Sequence, residues 1–135
     1  MTFLVDANVL CETMKPSPNP VVIVWMRNLE PELAVDSNIL GEIFVGILRM
    51  PKGRKRAGLE MWFETVVQNM YCVPWDSACA IRWARLFAEL ESRGETMPLR
   101  DSMIAATALV HNLTVVTRNT RDFKKAGVKV LDPFA

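Results

Sequence analysis

The stretch Thr2-Phe3-Leu4-Val5-Asp6-Ala7-Asn8-Val9-Leu10 opens the chain with an apolar run that ends in an Asp-x-Asn motif. A short apolar run followed directly by polar residues is typical of a strand buried in a parallel sheet. In open sheets of this kind, ligands bind in the crevice beyond the carboxyl ends of the strands. Asp6 is therefore predicted to lie at a functional site.

A second segment of the same kind lies near the end of the chain, Val115-Val116-Thr117-Arg118-Asn119-Thr120-Arg121-Asp122-Phe123. Because ligand-binding groups gather beyond the carboxyl ends of parallel strands, the two segments can deliver polar groups to one place. Asp122 by itself is a weak candidate, since an acid among basic residues usually balances surface charge. Its basic neighbours are Arg118, Arg121, Lys124 and Lys125.

Asp101 is followed by apolar residues at the third, fourth, seventh and eighth positions, which is the spacing of one helix face. These residues are Ile104, Ala105, Ala108 and Leu109. Asp101 shares this apolar face, where a carboxylate is costly unless it is neutralised, hydrogen-bonded or bound to a cation. An equally favoured interpretation makes Asp101 an ordinary first-turn acid, because Pro98 stands just upstream.

Glu42 lies in the segment 37–48, whose apolar residues form a helical stripe that leaves this glutamate out. The stripe comprises Ile39, Leu40, Ile43, Phe44, Ile47 and Leu48. The pattern alone favours an ordinary solvated glutamate. Glu42 becomes a candidate site residue only in conjunction with Asp6, Asp101 and Asp122.

Strand-like and helix-like segments alternate along the chain. Strands are predicted at 2–6, 33–35, 71–73, 114–117 and 128–131. Helices are predicted up to about residue 14, over 20–29, around Glu42, up to about residue 68, from Asp76 to Gly94, around Asp101 and near 120–126. This alternation predicts an α/β fold, a three-layer parallel sheet with helices on both faces.

Three of the helices are assigned apolar faces by their spacing. These faces comprise Val21, Val24, Trp25 and Leu29 in the first; Leu59, Trp62, Phe63 and Val66 in the second; and Ala80, Trp83, Ala84, Phe87 and Leu90 in the third.

The length of 135 residues, with half of them hydrophobic and 23% charged, predicts one folded domain over residues 1–135. The net charge of +1 excludes a strongly basic protein that coats nucleic acid. A basic run at 49–56 is typical of a solvated loop, with phosphate binding as the functional alternative.

The three cysteines, Cys11, Cys72 and Cys79, form no C-x-x-C pair, which argues against a zinc site or a disulfide framework. The sequence has neither a signal-peptide pattern nor an apolar stretch approaching the roughly 18 residues of a membrane span. A cytoplasmic protein without a membrane partner is expected.

Acids that converge from several segments are suited to magnesium, which prefers oxygen ligands and usually keeps several waters while it binds one or two carboxylates and a substrate phosphate. A bound ion of this kind can polarise a phosphodiester and lower the pKa of a water to make a nucleophile. Such a site needs no serine, cysteine or histidine nucleophile.

Taken together, these motifs resemble those of a PIN domain, with the VapC/FitB-like toxins of bacterial toxin–antitoxin pairs as the nearest subgroup. The resemblance rests on Val5-Asp6-Ala7-Asn8-Val9-Leu10, on Glu42 in the helix after the second strand, on the stretches 99–108 and 116–123, and on the closing Asp132-Pro133-Phe134. It covers essentially the full chain. The order and spacing of these motifs are more specific than any one of them.

The resemblance implies an endoribonuclease that depends on Mg²⁺ or Mn²⁺, forms dimers, and is inhibited by a small antitoxin encoded beside it. Asp6, Glu42 and Asp101 match the acidic triad of the family. Many relatives place a fourth acid where Asn119 stands here, and Asp122 follows three residues later. Either Asn119 or Asp122 is expected to orient a metal-bound water, and Asp122 is slightly preferred.

Three alternatives remain from the sequence. The Asp-x-Asn motif is similar to the D-x-D motif of haloacid-dehalogenase-like phosphatases, although Asn8 cannot serve as their general acid. A receiver-like phosphoacceptor would need an acidic pair after the first strand, and that pair is absent. A PIN-like binding module with a vestigial metal site is the non-enzymatic alternative.

Large apolar residues in the first half of the chain predict a surface for a partner. They are Trp25, Met50, Met61 and Trp62. An antitoxin is expected to lay an apolar segment along the helices of 20–30 and 38–68, with a basic side chain near the acids. The alternative interpretation buries both tryptophans in the core.

Overall fold

The computed structural model describes residues 2–135 and contains, within that range, a sheet of five parallel strands in the order β3-β2-β1-β4-β5. The strands are β1 (Phe3–Val5), β2 (Leu33–Asp36), β3 (Tyr71–Val73), β4 (Thr114–Val116) and β5 (Val130–Leu131). The central strand pairs on both sides, with Phe3 in register with Leu33 and with Thr114. All five predicted strands are confirmed.

Seven α-helices connect and cover these strands in the described part of the chain. They are α1 (Ala7–Glu12), α2 (Pro20–Asn28), α3 (Ser37–Leu48), α4 (Arg54–Trp62), α5 (Ser77–Ser92), α6 (Leu99–His111) and α7 (Thr120–Lys125). The predicted three-layer α/β architecture is confirmed, because parallel strands require crossovers and the crossover helices cover the faces of the sheet.

The core lies around the three central strands. Leu4, Val5, Val35, Val115 and Val116 have no exposed surface. A strand covered on both faces reads as a continuous apolar run without alternation, which is why the short runs of the sequence identified the strands correctly.

The apolar faces of α2 and α5 were predicted only in part. In α2 the buried residue is Val22, whereas Val21 and Val24 are exposed. In α5 the buried residues are Cys79, Leu86 and Leu90, whereas Ala80, Ala84 and Phe87 are exposed. Both helices carry apolar residues around more than one face, so the spacing could not decide which face is buried.

The apolar faces of the helices on either side of the loop at 51–53 were also predicted only in part. In α3, Ile39, Ile43 and Ile47 are buried, while Phe44 and Leu48 of the predicted stripe are exposed. A π-helical turn at Phe63–Val67 continues α4, closed by a 2.9 Å hydrogen bond from the Gln68 N–H to the Phe63 carbonyl. The wider turn shifts the helix face, so Val67 is buried and Val66 is exposed, contrary to the prediction.

Two aspartates at strand ends start the helices that follow them. Asp6 caps α1 and Asp36 caps α3, each through a hydrogen bond from a backbone N–H to its carboxylate. A capping acid satisfies an N–H group that has no partner within the helix. Both carboxylates therefore lie at the carboxyl edge of the sheet.

In the part of the chain that the structure describes, no helix combines the length and the apolar character that a membrane crossing demands. The cysteines Cys11, Cys72 and Cys79 are free thiols.

Candidate active site

Asp6 lies at the end of β1, only 3% exposed, and its carboxylate is held by three donors. Oδ1 accepts a hydrogen bond from the Ala7 N–H at 2.8 Å. Oδ2 accepts from the Thr117 hydroxyl at 2.8 Å and from the Asn8 side-chain amide at 3.3 Å. Because Thr117 follows β4, these bonds tie the ends of two neighbouring strands together at Asp6.

Asp36 occupies the equivalent place at the end of β2 and was missed as a site residue in the sequence. It has no exposed surface, and it accepts hydrogen bonds from the Ile39 N–H at 2.8 Å, the Thr107 hydroxyl at 2.8 Å and the Asn38 amide at 3.2 Å. A signal was present, because Asp36-Ser37-Asn38 repeats the Asp-x-Asn motif directly after a strand.

Asp101 stands in the first turn of α6 and is bonded to the loop after β4. Its Oδ2 accepts a 2.9 Å hydrogen bond from the side-chain amide of Asn119. The same amide nitrogen donates to Asp122 Oδ2, also at 2.9 Å. Asn119 thus lies between two carboxylates that would otherwise repel each other. Pro98 precedes α6 at the N-cap position and makes no side-chain capping bond. Asp101 is therefore a first-turn acid as well as a residue facing the site.

Asp122, on α7, has a second partner in Lys125, whose Nζ lies 3.2 Å from its Oδ1. The hydrogen bonds from Asn119 and Lys125 lower the pKa of Asp122, and the bond from Asn119 has the larger effect. Both interpretations of Asp122 therefore hold in part: it balances a nearby cation and it also reaches the polar group that contacts Asp101.

Glu42 projects from α3 with its side chain 29% exposed, and its Oε1 lies 3.5 Å from Nη1 of Arg100. It is not the freely solvated glutamate that its position outside the apolar stripe favours. Arg100, directly before Asp101, was not singled out in the sequence. It places a positive charge on the acid that α3 contributes.

The acids influence one another. The pKa of Asp101 is raised from 3.8 to about 6, first by burial and then by the charge of Asp6, with Glu42 and Asp122 adding smaller effects. Burial, followed by the charge of Asp6, also raises the pKa of Glu42. Burial raises the pKa of Asp6 against its hydrogen bonds, with a contribution from Asp36. Raised carboxyl pKa values beside like charges are typical of functional sites.

The donor set is suited to a hard divalent cation, but the side chains do not form a closed cage. Within residues 2–135, no group of three or more acidic, histidine or cysteine side chains is arranged to hold a metal ion. Carboxylates that carry like charges are held apart by repulsion. Magnesium needs only one or two direct carboxylates because waters complete its shell, so the residues present fit such an ion.

Two clefts open beside the acids. One, of about 700 Å³, lies between α3 and the start of α6 and is lined by Asn38, Glu42, Arg100 and Asp101 among others. The second, of about 510 Å³, runs from Asn8 and Glu42 over an apolar floor. The floor and walls of this apolar cleft include Cys11, Met14, Ile43, Ile47, Met50, Lys55, Leu59 and Trp62.

The fold and the acids at its carboxyl edge define a class, because a PIN-domain family model matches residues 3–129. The chain belongs to the PIN-domain family.

Relatives in this family align with the chain almost from end to end. Toxin FitB of Neisseria gonorrhoeae is 32% identical over 135 residues, covering 97% of each chain. The VapC ribonuclease Y4jK of Sinorhizobium fredii is 28% identical, covering 97% of this chain and 96% of its own. The solved structure of FitAcB from Neisseria gonorrhoeae superposes with a TM-score of 0.92 at 29% identity, covering 98% of this chain and 99% of that one.

Proposed function

We propose that this chain is an endoribonuclease that acts as the toxin of a toxin–antitoxin pair, with residues 1–135 forming a single PIN-like nuclease domain in the cytoplasm. One observation carries the proposal: at the carboxyl edge of the sheet, the charge of Asp6 raises the pKa of both Glu42 and Asp101. The chain that carries these acids aligns along its length with a toxin and a VapC ribonuclease.

The cofactor of the proposed reaction is Mg²⁺, or Mn²⁺, which Asp6, Glu42, Asp101 and Asp122 would hold, one or two of them directly and the others through water. When bound, such an ion polarises the phosphodiester and lowers the pKa of a water. The chain has to supply anionic oxygens, and the raised pKa of Asp101 means that a cation must displace a proton there below about pH 6.

The hydrogen bonds at the site support the catalytic roles that we propose for its residues. Thr117 and Asn8 fix the carboxylate of Asp6, so its free lone pairs keep one direction. Asn119 or Asp122 orients the attacking water, and Asn119 fixes Asp101 for this purpose. A nucleophilic side chain has no part in this hydrolysis.

The partner in this proposal is a VapB/FitA-like antitoxin. We propose that its apolar segment binds in the apolar cleft, whose lining includes Trp62, Met50 and Glu42. A basic side chain at the end of that segment would meet the three coupled acids. A chain that cuts cellular RNA needs such a restraint.

The predicted partner surface is only partly exposed. Trp25 and Trp62 are half-buried against the core, with Trp25 edge-on to Phe3 at 5.2 Å between ring centroids, and Met61 is exposed.

A homodimer is proposed through exposed apolar residues of the helices, such as Ile81 and Phe87 on α5 and Leu99 on α6.

A PIN-like binding module is the second candidate, and the ion pair between Arg100 and Glu42 favours it, because an internal cation can stand in for a metal. The decisive experiment is RNA cleavage by the highly purified chain in Mg²⁺, with Asp6→Asn prepared in parallel. We expect cleavage by the wild type that disappears in EDTA and falls at least about 100-fold in Asp6→Asn. Equal rates for both proteins, or full activity in EDTA, would sink the enzyme proposal.

A further inference from the structure

Arg118 lies on the rim of the acidic site, between two residues whose side chains bind the acids. Thr117, on one side, donates to Asp6, and Asn119, on the other, donates to Asp101. The Arg118 N–H donates to Asn8 Oδ1 at 3.2 Å. The backbone of Arg118 is therefore fixed by the same groups that hold the site.

The guanidinium of Arg118 is oriented without being buried. Its central carbon lies 3.6 Å from the centroid of the Phe134 ring, and Nη2 lies 3.9 Å from Glu12 Oε1. The side chain nevertheless remains 55% exposed. A cation stacked on an aromatic ring keeps its edge free for hydrogen bonds, and the planar fork of arginine matches two phosphate oxygens.

Glu12 brings a second cation to the same place. Its side chain is 6% exposed, and Oε2 accepts a 2.9 Å hydrogen bond from the Asn19 N–H. Oε1 is buried, and it pairs with the Nζ of Lys15 at 3.0 Å and with Nη2 of Arg118 at 3.9 Å. One buried carboxylate thus serves two basic side chains, each about half exposed.

Two cations share a single carboxylate in this arrangement, so Glu12 neutralises only one of the two positive charges. Lys15 also lines the apolar cleft, together with Asn8 and Glu42, so the excess charge lies beside the acids. Four acids at one edge repel an approaching polyanion, and the small net charge of +1 gives little general attraction. A phosphodiester, with one negative charge, complements the pair of cations.

We propose that Arg118 and Lys15, anchored on Glu12 and Phe134, form a binding subsite for a backbone phosphate of the RNA strand next to the cleaved bond. The proposal rests on the proposed ribonuclease function and names a substrate contact outside the acidic site. It differs from a purely structural role of Arg118, in which the arginine only fastens the C-terminal segment through Phe134. The structural role would change stability and leave RNA affinity unaltered.

The test measures the affinity of a short fluorescein-labelled single-stranded RNA by anisotropy at several salt concentrations. The proteins carry Asp101→Asn and Mg²⁺ is present, so that the probe survives. We expect Arg118→Gln and Lys15→Gln each to weaken binding about 5- to 10-fold and to reduce the dependence of log affinity on log salt by about 0.7, the loss of one phosphate contact. Arg118→Lys keeps the positive charge but lacks the planar guanidinium, so its RNA affinity should lie between those of the parent protein and Arg118→Gln.

Arg27→Gln is the matched control, because it removes the same charge from α2, near the amino end of the sheet, beside Glu30 and Leu33. It should leave the affinity and the salt dependence unchanged. The subsite is overturned if Arg118→Gln and Lys15→Gln bind like their parent, or if Arg27→Gln weakens binding as much. Should Arg118→Gln fail to fold, Lys15→Gln and Arg118→Lys decide alone.

The same proteins distinguish this failure from that of the proposed function. RNA cleavage by the wild type together with unaltered affinity in both subsite variants leaves the ribonuclease and removes the subsite. Loss of affinity in those variants with no cleavage by the wild type leaves an RNA-binding PIN module that uses the subsite.

Discussion

The side-chain amide of Asn119 lies 2.9 Å from Oδ2 of Asp101, which makes Asn119 a neutral neighbour for the acid with the most perturbed pKa at the site. Its second amide hydrogen is directed at Asp122. An acid at position 119 would add a charge between two carboxylates, whereas the amide relieves their repulsion. The fourth position of the site is therefore a linked pair, Asn119 with Asp122.

We predict that Asn119→Ala lowers the cleavage rate more than Asp122→Asn, by about 10- to 100-fold against a few-fold, because only the alanine variant frees Asp101. This order reverses the slight preference for Asp122 that the sequence alone supports. Single-turnover cleavage of one RNA at saturating Mg²⁺ ranks the two variants. A larger loss in Asp122→Asn would identify Asp122 as the residue that orients the water, and two unimpaired variants would reduce the site to the three acids.

We predict that Asp101→Asn raises the stability of the metal-free protein. The folded pKa of about 6 lies above the unfolded value near 3.8, so the folded state binds more protons between these values. The free energy of unfolding then falls as the pH rises from about 4 to about 6, and the deficit persists at neutral pH. The stability lost through the charged Asp101 carboxylate is at most about 3 kcal/mol. Asparagine at this position can still accept the hydrogen bond from Asn119.

Urea unfolding in EDTA at about pH 7 and about pH 4.5 measures this effect. The variant should be more stable by about 1–3 kcal/mol at the higher pH, and the difference should shrink at the lower one. Mg²⁺ should stabilise the wild type more than the variant. A large loss of stability in metal-free Asp101→Asn would instead assign Asp101 the role of a structural acid at the start of α6.

We predict that Asp36→Ala costs about 2–4 kcal/mol of stability and also weakens Mg²⁺ binding. The substitution removes the cap of α3, which carries Glu42, and leaves the Thr107 hydroxyl of α6 without its main partner. Asp76→Ala is the matched control, because Asp76 caps α5 through Cys79 at an exposed position. It should cost less stability than Asp36→Ala and leave Mg²⁺ binding unaltered, as measured by calorimetry. Unchanged Mg²⁺ affinity in a folded Asp36→Ala protein would restrict Asp36 to capping.

The sequence predicted the strands and the position of Asp6 at the end of the first strand because both depend on local patterns. Val5-Asp6 and Val116-Thr117 end apolar runs, and parallel pairing brings such ends to one edge of the sheet. It could not predict the face of α5 that meets α6, because Ile81 and Phe87 are as apolar as Leu86. Which apolar residue is buried depends on the partner helix.

Local sequence patterns could not predict the contacts of the basic residues either, for a different reason. Arg100 meets Glu42 from another helix, and Arg118 meets Phe134 at the end of the chain. A pattern that identifies helices and strands gives no information about which long side chains meet across them. Asp36 is the exception, since its Asp-x-Asn repeat could have been recognised.

We predict that expression of this chain alone arrests bacterial growth, and that Asp6→Asn or co-expression of a small protein encoded beside it restores growth.

We further predict that the antitoxin binds in the apolar cleft. Ile47→Glu would place a charge on its wall, opposite an apolar segment, and should weaken capture of the antitoxin at least about 10-fold while RNA cleavage persists. Ile47 is buried, so Gly46→Glu, on the same wall but exposed, serves where Ile47→Glu fails to fold. Tyr71→Glu, at an exposed position on the edge strand β3 and outside both antitoxin-binding helices, is the control and should bind the antitoxin normally. Co-purification of the untagged antitoxin with each tagged variant measures the effect. Harmless expression of an active enzyme, or full capture by both cleft variants, would rule out this cleft as the place where the toxin is restrained.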